Sequence, residues 1–228
     1  MDLTNVAYSD EYQNMCSEMI SVMILKEDEQ DIVMSEGEYS RTITTYTAMY
    51  EGFNYTIMLN KVYNFDNILV HEYINFYHHP FFCTPVTHSN DRKYLVYKED
   101  LYGYSVLDIE SKETFKYIPV ASLYISTDSL KFEETYIATD IHYNPVNDMF
   151  AAGGCFWAGR YTTYLLEVKD PMKQFTRYLD CRTIVPHQAK YTDVDFHEWD
   201  GNDILLKCDN EIIKIPQAKY MRFLKELL

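Results

Sequence analysis

The sequence predicts an all-β fold: a small β-propeller of about four or five antiparallel meander blades, with a short C-terminal helix. Two observations carry that expectation. The composition is rich in strand-forming aromatics, and a strand-and-turn pattern returns along the chain at a near-constant spacing. The 228 residues include 22 Tyr and 12 Phe against only 7 Gly. Tyr and Phe suit a pleated, half-buried surface, so this bias favours strands. Hydrophobic residues make up 47% of the chain, enough to bury a sizeable core.

The pattern is clearest from Asp140 onward. Asp140-Ile141-His142-Tyr143 alternates polar with apolar, as a half-buried strand does. Asn144-Pro145-Val146-Asn147-Asp148 supplies turn chemistry, and Met149-Phe150-Ala151-Ala152 resumes an extended run. After Gly153-Gly154-Cys155-Phe156-Trp157 comes a second turn at Ala158-Gly159-Arg160, then a strand from Tyr161 to Val168 that ends at Lys169-Asp170-Pro171. The glycine pair predicts a bulge or a close backbone approach.

About 53 residues later the order returns: Asp193-Val194-Asp195-Phe196-His197, a turn at Trp199-Asp200-Gly201-Asn202, then Asp203 to Cys208 and Glu211 to Ile215 around Asp209-Asn210. A weaker copy runs from Thr84 to His88, through Ser89-Asn90-Asp91, to Lys93–Tyr97 and Tyr104–Ile109. Strand-like runs at Thr42–Tyr50, Asn54–Leu59 and Asn67–Phe76 suggest a fourth. Each unit reads as an antiparallel meander, which selects a propeller over a helical solenoid. A sandwich or barrel with similar hairpins is the alternative.

Two segments look helical. Tyr12 to Ile24 predicts a short helix, with strand as the alternative. Gln217 to Leu228 follows Pro216 and sets Tyr220, Phe223, Leu224 and Leu227 at i, i+3, i+4 and i+7. That helix is expected to pack across the edge of the last sheet. No linker or composition break divides the chain, so a single domain over residues 1–228 is expected.

The stretch Asp140 to Pro145, with Met149 to Ala158, Tyr161 and Asp170-Pro171-Met172-Lys173, resembles small, mostly uncharacterised bacterial propeller-like proteins distantly similar to WD-repeat proteins. In them a Gly-Cys-x-Trp segment precedes a strand ending in Asp-Pro. This chain departs from that pattern at Gly159-Arg160, where a Pro commonly precedes the Tyr. The resemblance implies a propeller and a non-enzymatic role, and it brings no catalytic residues.

Charge narrows the partners. Thirty-five acids against 20 bases give a net charge of −15, which argues against nucleic acid and against an anionic membrane surface. A basic protein partner is the complement such a surface favours. The N-terminus lacks a basic and apolar leader, and no apolar run approaches the ~20 residues of a membrane span. The five scattered cysteines include no C-x-x-C pair. Together these predict a soluble, cytoplasmic protein with reduced thiols.

Chemistry-bearing residues are few. Cys155 with His142, oriented by Asp140 or Asp195, would be a Cys–His nucleophile pair; a buried structural cysteine is the plainer reading. His71-Glu72 lacks a histidine at position 75, which is Asn75, so the His-Glu-x-x-His pattern is absent. His71, His78, His79 and His88 are expected on the surface or in loops. Glu27 to Asp31 reads as a solvated charged turn. Asp193, Asp195, Glu198, Asp200 and Asp203 could approach a calcium ion, although Asp140 and Asp193 more plainly cap turns. No phosphate loop or nucleophile elbow is present.

Trp157, Tyr161, Trp199, Phe156, Tyr143 and Phe196 form an aromatic set beside turns, with core packing as the alternative. The expected binding residues are Trp157, Tyr161, Trp199, Asp140, Asp193 and Arg160. No catalytic residue, metal or cofactor is assigned. The expected function is protein interaction through an acidic, aromatic turn face. A Cys/His/Asp hydrolase and a carbohydrate-binding protein are the alternatives.

Overall fold

The structure, a computed structural model, describes residues 10–34, 37–76, 81–101, 103–117, 122–125, 131–134, 136–156, 159–173 and 177–226. Strands dominate it. The first four, β1 (Met23–Met34), β2 (Tyr39–Tyr50), β3 (Phe53–Asn64) and β4 (Leu69–Asn75), pair in chain order, as do β5 (Cys83–Thr87), β6 (Lys93–Tyr97), β7 (Tyr104–Asp108) and β8 (Thr114–Tyr117). A short hairpin joins β9 (Ser122–Ile125) to β10 (Lys131–Glu134). The last sheet begins as a meander of β11 (Ile137–Asn144), β12 (Met149–Cys155), β13 (Thr162–Glu167) and β14 (Arg177–Asp180). It continues as a second meander of β15 (Val194–Asp200), β16 (Asp203–Cys208) and β17 (Glu211–Ile215), joined to the first by one parallel bridge, Thr162 to Val194. Pairing of sequential strands is the expected meander arrangement.

Helices flank this array. The predicted N-terminal helix is present as α1 (Asp10–Ser21), starting and ending earlier than the periodicity suggests. The run Glu27 to Asp31 is not a turn, as its charge suggests, but lies within β1. Pairing with β2 over ten positions, from Met23–Ala48 to Met34–Tyr39, overrides the poor strand propensity of the acidic residues. The C-terminal helix α2 (Gln217–Glu226) begins directly after Pro216. It packs against β14, a strand of the last sheet that among the described residues pairs only with β13, and a 3-10 turn at Cys181–Ile184. Leu227 lies outside the described residues.

The chain forms two compact units: Met1–Pro85, Leu95–Ser105 and Ile118–Thr135; and Val86–Tyr94, Val106–Tyr117 and Tyr136–Leu228. In the first, Cys16 and Met19 of α1 bury against Ala48 and Ile57. Its sheet also buries Arg41, whose guanidinium donates to the Asn60 side chain at 2.6 and 3.0 Å and to the Phe81 carbonyl at 2.7 Å. Asn60 in turn donates to Asn75 at 2.7 Å, so this buried cation rests on a satisfied polar row. His71, expected on the surface or in a loop, is on β4 and partly buried, with its ring 4.7 Å from Tyr97 and 5.6 Å from Tyr73.

The second unit has the larger apolar cluster. Met149, Ala151, Leu165, Leu179, Ile204, Leu206 and Ile215 from five strands meet Tyr220 and Leu224 of α2, as the helical spacing predicts. Turn chemistry follows the sequence: Asn144 Oδ1 accepts from Val146 N–H, and Asp108 Oδ1 from Glu110 and Ser111 N–H. His88 departs from expectation, because it is only 4% exposed. Its Nδ1 accepts from Asn90 N–H at 3.3 Å, which places the ring proton on Nε2, 2.9 Å from the Val168 carbonyl. This histidine fastens its turn to the end of β13 through a bond spanning 80 residues of sequence.

Candidate functional site

The second unit holds a cleft of about 330 Å³ lined by Asp140, His142, Tyr161, Asp193, Asp195 and Phe196, with Thr139 and the two glycines of β12 behind them. Its geometry begins with the β11–β12 ladder. Asp140 opposes Gly153, His142 opposes Ala151, and a register shift falls between Ala138 and Asp140. The expected bulge and the expected close approach therefore both occur here. A Cβ on Gly153 would stand 2.6 Å from Asp140 Oδ1, and one on Gly154 only 2.1 Å from the Ile137 carbonyl oxygen. The missing side chains are what lets the Asp140 carboxylate fold back over its partner strand.

Asp140 has three partners among the described residues. Its Oδ1 lies 3.1 Å from His142 Nε2 and accepts from Gly153 N–H at 3.2 Å, while Oδ2 accepts from the Thr139 hydroxyl at 3.1 Å. Burial pushes this carboxyl up, but the His142 hydrogen bond and charge, with the Thr139 and Gly153 bonds, outweigh it and leave the carboxyl below its ordinary value. Asp140 is thus a mid-strand anchor for His142, not the turn cap its recurrence suggests. The His142 ring stacks on Phe196 at 4.2 Å and 18°, and Phe196 leans on Trp199 at 5.6 Å. The Trp199 indole N–H donates to the His142 carbonyl at 3.3 Å, tying β15 to β11.

The opposite wall comes from the entry to β15. Asp193 Oδ1 accepts from Tyr161 N–H at 3.3 Å, so it joins two segments instead of capping a turn. Arg182 donates to the carbonyls of Tyr161, Tyr191 and Thr192 at 2.8 to 3.2 Å, fixing both segments from below. Asp195 differs from its neighbours: its carboxylate accepts no hydrogen bond from any described residue. Burial, then the nearby Asp193 and Asp140 carboxylates, raise its pKa above the ordinary aspartate value, against a weaker pull from Lys207. Tyr161 is 45% exposed, and its hydroxyl is raised by the neighbouring Cys155, by burial and by Asp195 and Asp140.

Of the predicted binding residues, Asp140, Asp193 and Tyr161 line the cleft and Trp199 braces it through Phe196. Arg160 is exposed beside Tyr161 without lining the cleft, and Trp157 lies outside the described residues, as do His78 and His79. The other aromatics do not join them: Phe156 packs on Tyr136, and Tyr143 on Phe150 and His88.

Cys155 is not brought to His142. Four residues along β12 separate it from His142's partner Ala151, about 13 Å of strand, and its thiol pairs with the Tyr161 side chain. Asp200 and Asp203 instead take Lys214 at 2.6 and 3.1 Å. Among the described residues no group of three or more His, Cys, Asp or Glu is arranged to hold a metal ion. A second Ser, His and Asp grouping is structural: Ser89 Oγ donates straight to Asp148 Oδ2 at 2.6 Å, so no imidazole stands between them.

The sequence reading gives Phe196 a place in the aromatic set and Asp195 an orienting or calcium-binding role, but neither is among the expected binding residues. The signal was there: Asp140 and Asp193, and His142 and Asp195, occupy equivalent positions in the two copies, and both pairs line the cleft. No protein-family model matches the chain, and no curated protein matches it.

Among the described residues no helix is long and apolar enough to cross a membrane.

Proposed function

We propose that this protein is a non-enzymatic interaction module whose cleft receives a basic side chain of a protein partner. One observation carries the reading. Among the described residues, Asp195 faces the cleft without a hydrogen-bond donor, beside Asp140 and Asp193, and no lysine or arginine lines the walls. An incoming guanidinium or ammonium would supply the missing donors and relieve the repulsion among the carboxylates. Phe196 and Tyr161 offer apolar surface for its methylene stem. The net charge of −15 would hasten encounter with such a partner. We further propose that the successive meanders are blades of a small propeller of the WD-repeat-like kind, the arrangement that best accounts for their repeated order.

Titration with an acetylated octaarginine peptide, followed by calorimetry at low salt, tests the binding. Asp195→Asn should weaken it about fivefold, the worth of one charge pair near 4 Å in a watery site. Glu110→Gln with Glu113→Gln, which removes two carboxylates elsewhere, should not. Equal losses in both variants would reduce the binding to general charge and sink the reading.

A second reading, hydrolysis, has one observation in its favour: Asp140 and Asp195 share a cleft yet are pushed in opposite directions, one down and one up. A screen of glycoside and ester substrates in which Asp195→Asn abolishes turnover would establish it.

A further inference from the structure

His142 occupies the cleft wall with little freedom to leave it. Its ring is stacked flat on Phe196, its Nε2 is held by Asp140 at 3.1 Å, and its carbonyl is fixed by the Trp199 indole. Gly153 N–H and the Thr139 hydroxyl hold the same Asp140 carboxylate, which favours this one position of the imidazole. The ring is nevertheless wet, with 44% of the side chain exposed, so protons reach it.

The charged and titratable groups around it come from every packed element. Asp140 lies on its own strand, and Asp193 and Asp195 lie at the start of β15. Tyr161 precedes β13, and Lys207 stands opposite Asp195 on β16. Histidine is the side chain that ordinarily changes charge between pH 5 and 8.

We propose that His142 is a proton-operated gate on this cleft: once it carries its second proton, the fixed imidazolium opposes a basic group and the cleft releases it. The proposal rests on the reading that a basic group binds here, and it adds the control of that binding. With His142 neutral, the described lining residues carry three carboxylates, Asp140, Asp193 and Asp195, and no cation. Protonation places a cation among them at a fixed position, where it competes directly with the ligand for Asp140. Protonation of Asp195 acts in the same direction, since it removes an acceptor. Acid therefore weakens the site through two groups, one on each wall.

Acetylated octaarginine is the probe, because arginine keeps its charge throughout the range. At constant ionic strength, binding to the native protein should weaken about five- to tenfold from pH 8 to pH 5.5. His142→Gln keeps a hydrogen-bonding, planar side chain without a second proton, and it should lose most of that dependence. An NMR titration of His142 in the unaltered protein supplies a measurement that needs no variant. Saturating peptide should move the imidazole midpoint to lower pH, by reciprocity of the two equilibria.

Binding at pH 8 that is equally strong at pH 5.5, a His142→Gln variant as pH-dependent as the native protein, or an unmoved midpoint would overturn the gate alone. No binding at pH 8 would overturn both the gate and the reading beneath it.

Discussion

Gly154→Ala should be among the most damaging single-methyl additions in the second unit. The new Cβ would stand 2.1 Å from the Ile137 carbonyl oxygen and 3.0 Å from both the Ile137 carbonyl carbon and the Tyr136 ring. The oxygen contact is short of van der Waals separation by more than about 1 Å. Neither neighbour can turn aside, because one is backbone in the β11–β12 ladder. The other is pinned through its hydroxyl, 2.7 Å from the Thr162 carbonyl and 2.9 Å from that of Ala152. Overpacking of this kind costs about 1–3 kcal/mol, and loss of the Tyr136 hydrogen bond adds about 1. The lower entropy of the unfolded alanine chain returns about 0.5 kcal/mol.

These sum to a destabilisation of about 1.5–3.5 kcal/mol, and a clash with backbone falls toward the upper part of that range, about 3 kcal/mol. Thermal unfolding followed by circular dichroism should show it as a Tm lower by roughly 6–12 °C. Gly153→Ala is the comparison. Its Cβ would meet a carboxylate, not backbone, so Asp140 should move aside at about 1 kcal/mol and release His142. A Gly154→Ala protein within about 0.5 kcal/mol of the native one, or less damaged than Gly153→Ala, would refute the reasoning.

The two cleft aspartates should give opposite pH signatures in stability. Asp140 is depressed in the fold, so its contribution is present above the ordinary aspartate value of about 3.9 and is lost as pH falls through its lower folded value; Asp140→Asn should flatten the acid limb of the urea midpoint against pH. Asp195 is raised, so the fold binds its proton more readily than the unfolded chain, and its ionisation costs stability as pH rises; Asp195→Asn should therefore leave the neutral-pH midpoint equal or higher. Arg182→Ala should loosen both segments beside Tyr161, seen as faster amide exchange at Val194 and Asp193, with a stability loss of about 2–3 kcal/mol for three charge-assisted bonds. Iodoacetamide at pH 8 should leave Cys181 and Cys208 unmodified in the folded protein. Burial pushes both thiols up, Cys208 to about 11, whereas half-buried Cys155 should label first by mass spectrometry.

The legible parts of the fold were those in which local chemistry and pairing agree. Lys93–Tyr97, Asp203–Cys208 and Glu211–Ile215 are strands with the bounds their alternation suggests, because the flanking turns carry Asn, Asp and Gly at the places where the chain reverses. β1 was illegible because its five-residue acidic and amide run resembles a solvated loop, and only β2 makes it a strand. His88 was illegible for a similar reason: Thr87-His88-Ser89-Asn90 has loop composition, and the carbonyl that buries it is 80 residues away.

Within the cleft, the repeat disclosed Asp140 and Asp193, since equivalent positions in neighbouring meanders were placed side by side. It could not disclose which partner His142 takes. That choice follows from the register shift beside Asp140 and from the absence of a side chain at Gly153; the glycine pair marks the irregularity, but not which carboxylate folds over it.

The position of α2 has a consequence for synthesis on the ribosome. Tyr220 and Leu224 are fully buried in the cluster that also contains Met149, Leu165 and Ile204. The Tyr220 hydroxyl accepts from Asn147 Nδ2 and donates to the Asn202 carbonyl, joining turns some 55 residues apart in the sequence. As the chain emerges, β11 to β17 can pair while this apolar surface still lacks its cover. The second unit then stays open to chaperones, or to another nascent chain, until residues 217–226 leave the tunnel. A chain arrested through an added C-terminal linker so that Ile215 has left the tunnel but Gln217–Glu226 has not should therefore have paired strands that a protease still cuts, and one on a longer linker that clears Glu226 should be resistant.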